Sequence, residues 1–511
     1  MEPEQSVPTT WRVKLANEGA TRALAREVAS FVGANDLVTL SGEIGAGKTT
    51  FARHLIRAVL GDDDVEVPSP TFTLMQVYAG PNFPVVHADL YRISNPDEIA
   101  ELGWSEVADG ALVAVEWIER AGDKLPADRL DIRFSLAPSA GEGVRLAEIS
   151  AHGGFEPRLR RARAIHALLR TVGWSSARRA HMSGDASARL YERLVKPEAS
   201  AVLMISPPRV DASTVQHATP YSKTARLAED IKPFLAIGAA LLEMGYSAPK
   251  ILGVDVENGL AVLEDLGATG VVDENGPIPE RYAEAVSVLA DMHSRDMPTV
   301  VPLPDGGQYR VPFYDLDAYR VEAELLIDWY AISTPASMFN AASRRPYADM
   351  WLNALGKLRV DRPTWTLRDY HSPNLIWLAD REGLDRVGII DFQDCVLGHP
   401  AYDVVSLLQD ARVTVPDDLE IRLLSRYARE RRGKEPDFDM ARFAEAYAVL
   451  GAQRAAKILG VFARLDKRDM KPQYLAHLPR VEAYLAKNLA HPALAETRAW
   501  FKAHVPAVPL A

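Results

Sequence analysis

Hydrophobic positions along the first third of the chain follow two different periods. Leu24, Val28, Phe31 and Val32 share one face of a helix predicted over residues 20–32. Phe51, Leu55, Ala58 and Val59 do the same over residues 48–60. Short apolar runs at 37–41, 85–88 and 112–116 read as buried strands. This alternation predicts an α/β domain with a mainly parallel sheet. Residues 141–156 then turn rich in Gly, Ala and Ser, and the basic run 158–163 follows. Ile165, Leu168 and Leu169 continue it at helical spacing, so the run reads as the solvated face of a linker helix. A boundary is expected here, giving units 1–155 and 156–511. Strand-like runs follow at 189–195, 201–205 and 260–264. Helical periodicity dominates afterwards, over 279–294, 314–331, 403–412 and 446–465. The second unit is thus expected to be α+β and two-lobed, with a strand-rich lobe preceding a helical one.

Composition narrows the function classes. Hydrophobic residues make up 48% and charged residues 25% of 511, so large cores are expected. The net charge of −11 and an isoelectric point near 5.6 argue against a generic nucleic-acid binder, which needs clustered cations. Any RNA link is expected to be indirect. The single cysteine, Cys395, excludes an internal disulfide and a cysteine-based zinc site. The first residues are acidic and no run of ~18 apolar residues occurs, so no membrane contact and a cytoplasmic location are expected.

The sharpest local signal is GEIGAGKT at residues 42–49, which fits G-x-x-x-x-G-K-T between a strand and a helix. Its glycines let the backbone turn and aim N–H groups at phosphate oxygens. Gly42, Glu43, Gly45, Ala46, Gly47, Lys48, Thr49 and Thr50 are the expected ATP-binding set, with Lys48 on the β- and γ-phosphates and Thr49 on Mg²⁺. Three segments reinforce it. SPTFTL (69–74) offers hydroxyls for a switch loop. HADLYR (87–92) and AVEWIE (114–119) end strands with Asp89 and Glu116, where metal and water are organised. GEIGAGKT, SPTF, HADLYR and VEW in this order resemble the TsaE family, the ATPase of bacterial tRNA threonylcarbamoyladenosine synthesis, over residues 11–150. The resemblance implies partner subunits of that complex. It also implies that Thr71, Asp89 and Glu116 assist Mg²⁺ and water, and that Trp117 lies beside nucleotide or partner. A plain core position for Trp117 is the alternative.

The second half carries LRDYHSPNLIWL (367–378), with Asp369 and Asn374 in a D-x-x-x-x-N arrangement, and GIIDFQD (388–394), with Asp391 after an apolar strand. Phosphoryl transfer to a hydroxyl needs an Asp to orient the acceptor, and an Asn and a second Asp to hold Mg²⁺. These residues resemble the aminoglycoside-phosphotransferase superfamily, a protein-kinase-like fold, over residues 175–490. The resemblance places the adenine hinge at LEDLG, around Glu264 and Leu266, and the phosphate-covering hairpin at 183–194. Met204 stands where such kinases carry a phosphate-binding Lys, which leaves Arg189, Arg193 and Lys223 as alternatives. GDASARLYERL, LMISPP, DFQD and QRAAKILGVFARL are similar, more narrowly, to N-acetylmuramate/N-acetylglucosamine kinases, although that group usually has an acid where Ile205 stands. A small sugar is therefore the implied acceptor. Another small alcohol, such as an aminoglycoside or choline, or a non-catalytic scaffold, is the rival. Glu322, Leu326, Trp329 and Tyr330 share a predicted helix face, so Glu322 and Trp329 are expected to contact the sugar, with His371. Packing by Trp329 and solvation of the acids are the alternative for the helix, and bracing the loop is the alternative for His371. Asp403 is expected to cap a helix.

Overall fold

The computed structural model describes residues 9–510 apart from 102–103, 123–125, 142, 183–188, 209–219, 305, 335–336, 359, 361 and 507. The chain divides into two units, Met1–Thr171 and Val172–Ala511.

The first unit is built on a seven-stranded sheet. Its elements run β1 (Thr9–Leu15), α1 (Glu18–Ala29), β2 (Leu37–Gly42), α2 (Lys48–Leu60), β3 (Met75–Tyr78) and β4 (Val85–Asp89). The short helices α3 (Glu98–Glu101) and α4 (Trp104–Ala108) follow, then β5 (Leu112–Glu116), β6 (Arg129–Leu136), β7 (Arg145–His152) and α5 (Phe155–Thr171). The strand order is β1-β7-β6-β2-β5-β4-β3. β6, β2, β5 and β4 are mutually parallel, as expected. β3, β7 and β1 join through antiparallel pairings, so the sheet is mixed around a parallel centre.

The difference lies in the segment that had read as a linker. In β7, Ala147, Ile149 and Ala151 alternate inward with more exposed neighbours, a two-residue period that small side chains made faint. α5 then packs on β1 and β7 through Phe155, Leu159 and Ala162. The basic run is partly structural: Arg158 forks onto both oxygens of Asp36 at 2.7 Å and lies over the Phe155 ring. The helix expected to link therefore belongs to the first unit, and the division falls after Thr171 instead of near 155.

The second unit opens with an antiparallel sheet of β8 (Arg178–Met182), β9 (Leu190–Lys196), β10 (Ala199–Ile205), β11 (Ile251–Asp255) and β12 (Leu260–Glu264), ordered β11-β12-β10-β9-β8. α6 (Tyr221–Thr224) and α7 (Lys232–Glu243) lie between β10 and β11, and α8 (Pro279–His293) follows β12. The helical lobe centres on the long helix Met440–Lys467. It packs against Leu478–Leu489, Leu316–Leu325 and Ala401–Leu408. Two hairpin-like pairings, Leu375–Trp377 with Val387–Ile389 and Thr364–Thr366 with Val396–Gly398, carry the loops of the site. Among the described residues no helix is long and apolar enough to cross a membrane.

The helix expected over 314–331 is interrupted. It starts at Leu316, capped by Asp315, and opens into a π turn at Leu326–Tyr330. Gly460 of the long helix touches the backbone there: a Cβ would lie 2.2 Å from the carbonyl carbon of Leu325. The two helices meet backbone to backbone at this point. Gly460→Ala is expected to lower the thermal midpoint of the second unit's transition in calorimetry, by overpacking worth about 1–3 kcal/mol. The first unit's transition should stay in place.

Candidate active sites

In the first unit, β2 ends at Gly42 and α2 begins at Lys48, so the loop between them closes over the N-terminus of a 13-residue helix. Gly42, Gly45 and Gly47 take φ of 124°, 77° and 107°. At Gly42 the requirement is also steric, since a Cβ would lie 2.1 Å from the carbonyl oxygen of Phe134. The parallel register sets Asp89 beside Glu116 at the ends of β4 and β5. Thr49 Oγ1 donates to Glu116 Oε2 at 2.8 Å, and Glu116 Oε1 lies 3.0 Å from His87 Nε2. Asp89 accepts from Ser69 Oγ (2.8 Å), Thr71 Oγ1 (2.9 Å) and the Tyr91 backbone N–H (2.9 Å). Lys48 Nζ donates to the carbonyls of Gly42 (2.6 Å) and Glu43 (3.0 Å) and lies 3.7 Å from the centre of the Trp117 ring. Burial lowers its proton affinity, against the pull of Glu116, Glu119 and Asp89.

A cleft of about 500 Å³ runs between these groups. Gly45, Gly47, Lys48, Thr49, Thr50, Thr71, Asp89, Glu116 and Trp117 all line it, while Gly42, Glu43 and Ala46 shape the loop behind. Trp117 belongs to the cleft wall, with Tyr91 against its ring at 5.1 Å. The sequence reading passed over the roles of His87, Ser69 and Arg145. For His87, the signal was a histidine two residues before Asp89 in a fully buried strand.

In the second unit, Asn374 Nδ2 donates to the Asp369 carbonyl at 2.9 Å and sits 3.5 Å from Asp391 Oδ2. The pairing of Leu375–Trp377 with Val387–Ile389 explains why residues 17 apart meet. Asp391 also accepts from Gln393 Nε2 at 2.7 Å and faces Arg189 Nη1 at 3.5 Å. Burial and the nearby Asp369 carboxylate push Asp391 up to about 6, against the pull of Arg189. Asp369 behaves oppositely: burial would raise it, but Lys457, His371, Arg454 and Arg368 together hold it low. Its side chain stays 37% exposed, open to an acceptor.

Of the three replacement cations for the missing lysine, Arg189 alone meets a site carboxylate. Arg193 pairs with Asp265 at 2.9 Å and Lys223 is exposed. Met204 is buried in β10. Residues 183–188 of the expected phosphate hairpin lie outside the described residues. At the hinge, Glu264 gives its N–H to the Lys250 carbonyl and its carboxylate to Arg381, and Asp265 braces the Gly267 N–H. Leu266 packs toward Gly388, whose Cβ would lie 3.1 Å from its Cδ1.

Glu322 departs from expectation. It is fully buried. Its carboxylate accepts from Arg368, Tyr314 and, at 2.8 Å, Lys457 Nζ. Burial would raise its pKa, yet these cations hold it low. Glu322 thus binds the residue before Asp369 to the core, with its carboxylate engaged by three donors. Trp329 is half-buried against the core, because the π turn shifts it off the Glu322 face. His371 does lie in the site, with Nε2 4.0 Å from Asp369 Oδ1, and burial drives it down to about 4, so it is neutral near pH 7.

Asp403 corrects another expectation. Pro400 occupies the cap position of its helix, which ends at Leu408. The buried Asp403 carboxylate instead accepts from the backbone N–H groups of Leu367 (2.6 Å) and Arg368 (2.8 Å). Arg454 extends this support through Ser406 Oγ, which donates to the Arg368 carbonyl. Arg454 and Lys457 were unassigned in the sequence reading. The available signal was two cations three residues apart on an otherwise apolar helix face.

Among the described residues no group of three or more His, Cys, Asp or Glu gathers as a metal site. Mg²⁺ takes one or two carboxylates and completes its shell with phosphates and water. Asn374 and Asp391 offer such oxygens in the second unit, and Thr49 with Asp89 and Glu116 in the first.

Comparison with known proteins agrees with this geometry. Residues 15–142 match the family model described as threonylcarbamoyl adenosine biosynthesis protein TsaE, and residues 180–446 match the phosphotransferase enzyme family. An N-acetylmuramate/N-acetylglucosamine kinase of Caulobacter vibrioides is 38% identical over 358 residues, 68% of this chain and 97% of the relative. A Pseudomonas aeruginosa protein of the same description is 30% identical over 63% of this chain and 88% of its own length. The TsaE protein of Rickettsia bellii is 38% identical over 122 residues, 24% of this chain and 84% of the relative. The chain belongs to both families. It joins an ATPase unit to a phosphotransferase unit, and both families use ATP.

The central role of Glu322 can be measured. Glu322→Ala strands Arg368 and Lys457 without their shared counter-charge. Losing one partner of a buried ion pair costs about 3–5 kcal/mol, so the thermal midpoint of the phosphotransferase unit should fall sharply.

Proposed function

We propose that the first unit hydrolyses ATP as the switch of the tRNA threonylcarbamoyladenosine system, acting on its partner subunits and touching tRNA only through them. We propose further that the second unit moves the γ-phosphoryl group of ATP to the anomeric hydroxyl of N-acetylmuramate or N-acetylglucosamine, a step of peptidoglycan recycling in the cytoplasm.

One observation carries the acceptor assignment: the cations gathered about Asp369. Lys457, Arg454 and Arg368 all act on its charge, and Arg412 Nη1 lies 3.5 Å from His371 Nε2. This setting favours an acidic sugar. Aminoglycosides and choline are cations and need an acidic cleft. In the proposed chemistry Asp369 accepts the hydroxyl proton as the sugar oxygen attacks the γ-phosphorus and ADP leaves. Asn374 and Asp391 would hold Mg²⁺, which would screen the phosphate charge. Arg189 supplies the phosphate cation in place of a strand lysine. For the first unit, the exposed Ile44 and Phe72 beside the nucleotide loop and switch segment support docking of a protein partner.

Two experiments test these readings. Lys48→Ala should abolish the acceptor-independent ATP hydrolysis of the full chain and leave sugar phosphorylation intact. Persistence of that hydrolysis would contradict the first reading. For the second, Asp369→Asn should lower turnover about 10²–10⁴-fold, the usual worth of a general base, while ATP still binds. Wild type should yield a phosphate ester that dilute acid cleaves readily, as an anomeric phosphate is. Arg412→Ala should raise KM for N-acetylmuramate about tenfold or more, the worth of a charge-assisted bond. N-acetylglucosamine, which lacks the carboxylate, should respond much less. An acid-stable product, or equal effects on both sugars, would count against the assignment.

A further inference from the structure

Arg145 opens β7 and lines the nucleotide cleft of the first unit. Its position follows from the sheet. β6 runs parallel to β2, so its end, Leu136, lies on the same edge as the nucleotide loop. β7 returns antiparallel, which pairs its first residue, Arg145, with Leu136. Arg145 thus reaches the loop from one side of β2. The carboxylates of Asp89 and Glu116 stand on the other, at the ends of β4 and β5.

The side chain lies across the loop. A Cβ at Gly47 would come within 3.3 Å of its Cδ and 3.4 Å of its Nε. Its Nη1 donates to the Gly143 carbonyl at 3.1 Å and its Nη2 reaches the Gly45 carbonyl only at 3.4 Å. Nε is shielded from solvent and has no acceptor. A guanidinium laid over a phosphate loop with an unused donor is arranged for an anion. Its side of the loop decides which one. Thr49 bonds Glu116, so metal and γ-phosphate belong on the carboxylate side. The nucleotide must extend away from them.

We propose that Arg145 is a nucleotide-binding residue that grips the α-phosphate and ribose end of ATP and ADP alike. This rests on the nucleotide reading of the loop. ADP keeps the groups Arg145 would touch, so this contact would hold the product as firmly as the substrate. It would keep the unit loaded after hydrolysis until something opens the site.

The test titrates fluorescent mant-ADP and mant-AMPPNP into the full chain and takes the binding component that Lys48→Ala removes, which excludes the phosphotransferase site. Arg145→Ala should weaken that component about 10- to 100-fold, and by the same factor for both nucleotides. Arg145→Lys should recover part of it, and an unchanged thermal midpoint would show that the fold is intact. A loss confined to mant-AMPPNP would place the guanidinium at the γ-phosphate and overturn the proposal. So would unchanged affinity for both. If wild type shows no Lys48-dependent component at all, the nucleotide reading itself fails, which is a separate outcome.

Discussion

Carboxylates brought close together repel one another, and both units are shaped by that repulsion. In the first, Asp89 and Glu116 are register neighbours. Each is surrounded by donors: two hydroxyls and a backbone N–H for Asp89, Thr49 and His87 for Glu116. Lys48 adds positive charge beside them. In the second, Asp369 and Asp391 face the same difficulty, and burial together with the Asp369 charge raises the proton affinity of Asp391. Arg189 and Gln393 offset it on one side, and Lys457 and Arg454 on the other. Unrelated sheets thus reach one solution, a carboxylate pair whose charge is balanced by side chains from other elements.

The same places hold backbone strain. Among the described non-glycine residues with positive φ, Leu74 and Trp117 in the first unit and Arg368 and Asp391 in the second lie at or beside these carboxylates, while Asn35, Arg226 and Met470 have other settings. Such conformations cost on the order of 1–3 kcal/mol each and last only where the surroundings enforce them. The enforcement is visible. The Trp117 N–H bonds the Leu40 carbonyl at 3.0 Å. Arg368 is pinned by Asp403 at its backbone and by Glu322 at its guanidinium. The strained turn leaves Asp369 partly exposed while its two neighbours, Arg368 and Tyr370, are buried.

Residues bound to the chemistry by local spacing were legible in the sequence. The nucleotide loop, the ends of β4 and β5, and the pair Asp369 and Asn374 all depend on a short run of chain. Supports that cross the fold were not. Glu322 lies 46 residues from Arg368, and Lys457 sits on a third element. Period alone placed Glu322 and Trp329 together on a sugar-facing side, but the π turn at Leu326–Tyr330 changes the phase between them. That turn is set by tertiary contact with Gly460, which no local pattern displays. β7 was hidden for another reason: its inward positions are mostly alanine, which small-residue linkers also contain. Asp403 occupies a helix's first turn, where capping is the usual reading, yet its burial turns it toward a loop 35 residues away.

Acceptor choice cannot reside in Asp369, Asn374 and Asp391, because transfer to any hydroxyl needs the same three. It must come from charge supplied around them. Glu322 answers two cations with one carboxylate, and Arg454 has a neutral hydroxyl partner in Ser406. His371 is driven neutral by burial and so adds no further positive charge near pH 7. Lys457, Arg454 and Arg368 all act on the Asp369 charge before any ligand arrives. At an effective dielectric of about 20, two unit charges ~7 Å apart interact by about 2 kcal/mol. A cationic acceptor would meet that repulsion from each cation, whereas an acidic sugar would gain it. Two kilocalories per mole is roughly a thirtyfold preference. Acceptor selectivity can therefore shift between relatives by exchange of surrounding Arg and Lys residues, with the transfer machinery untouched.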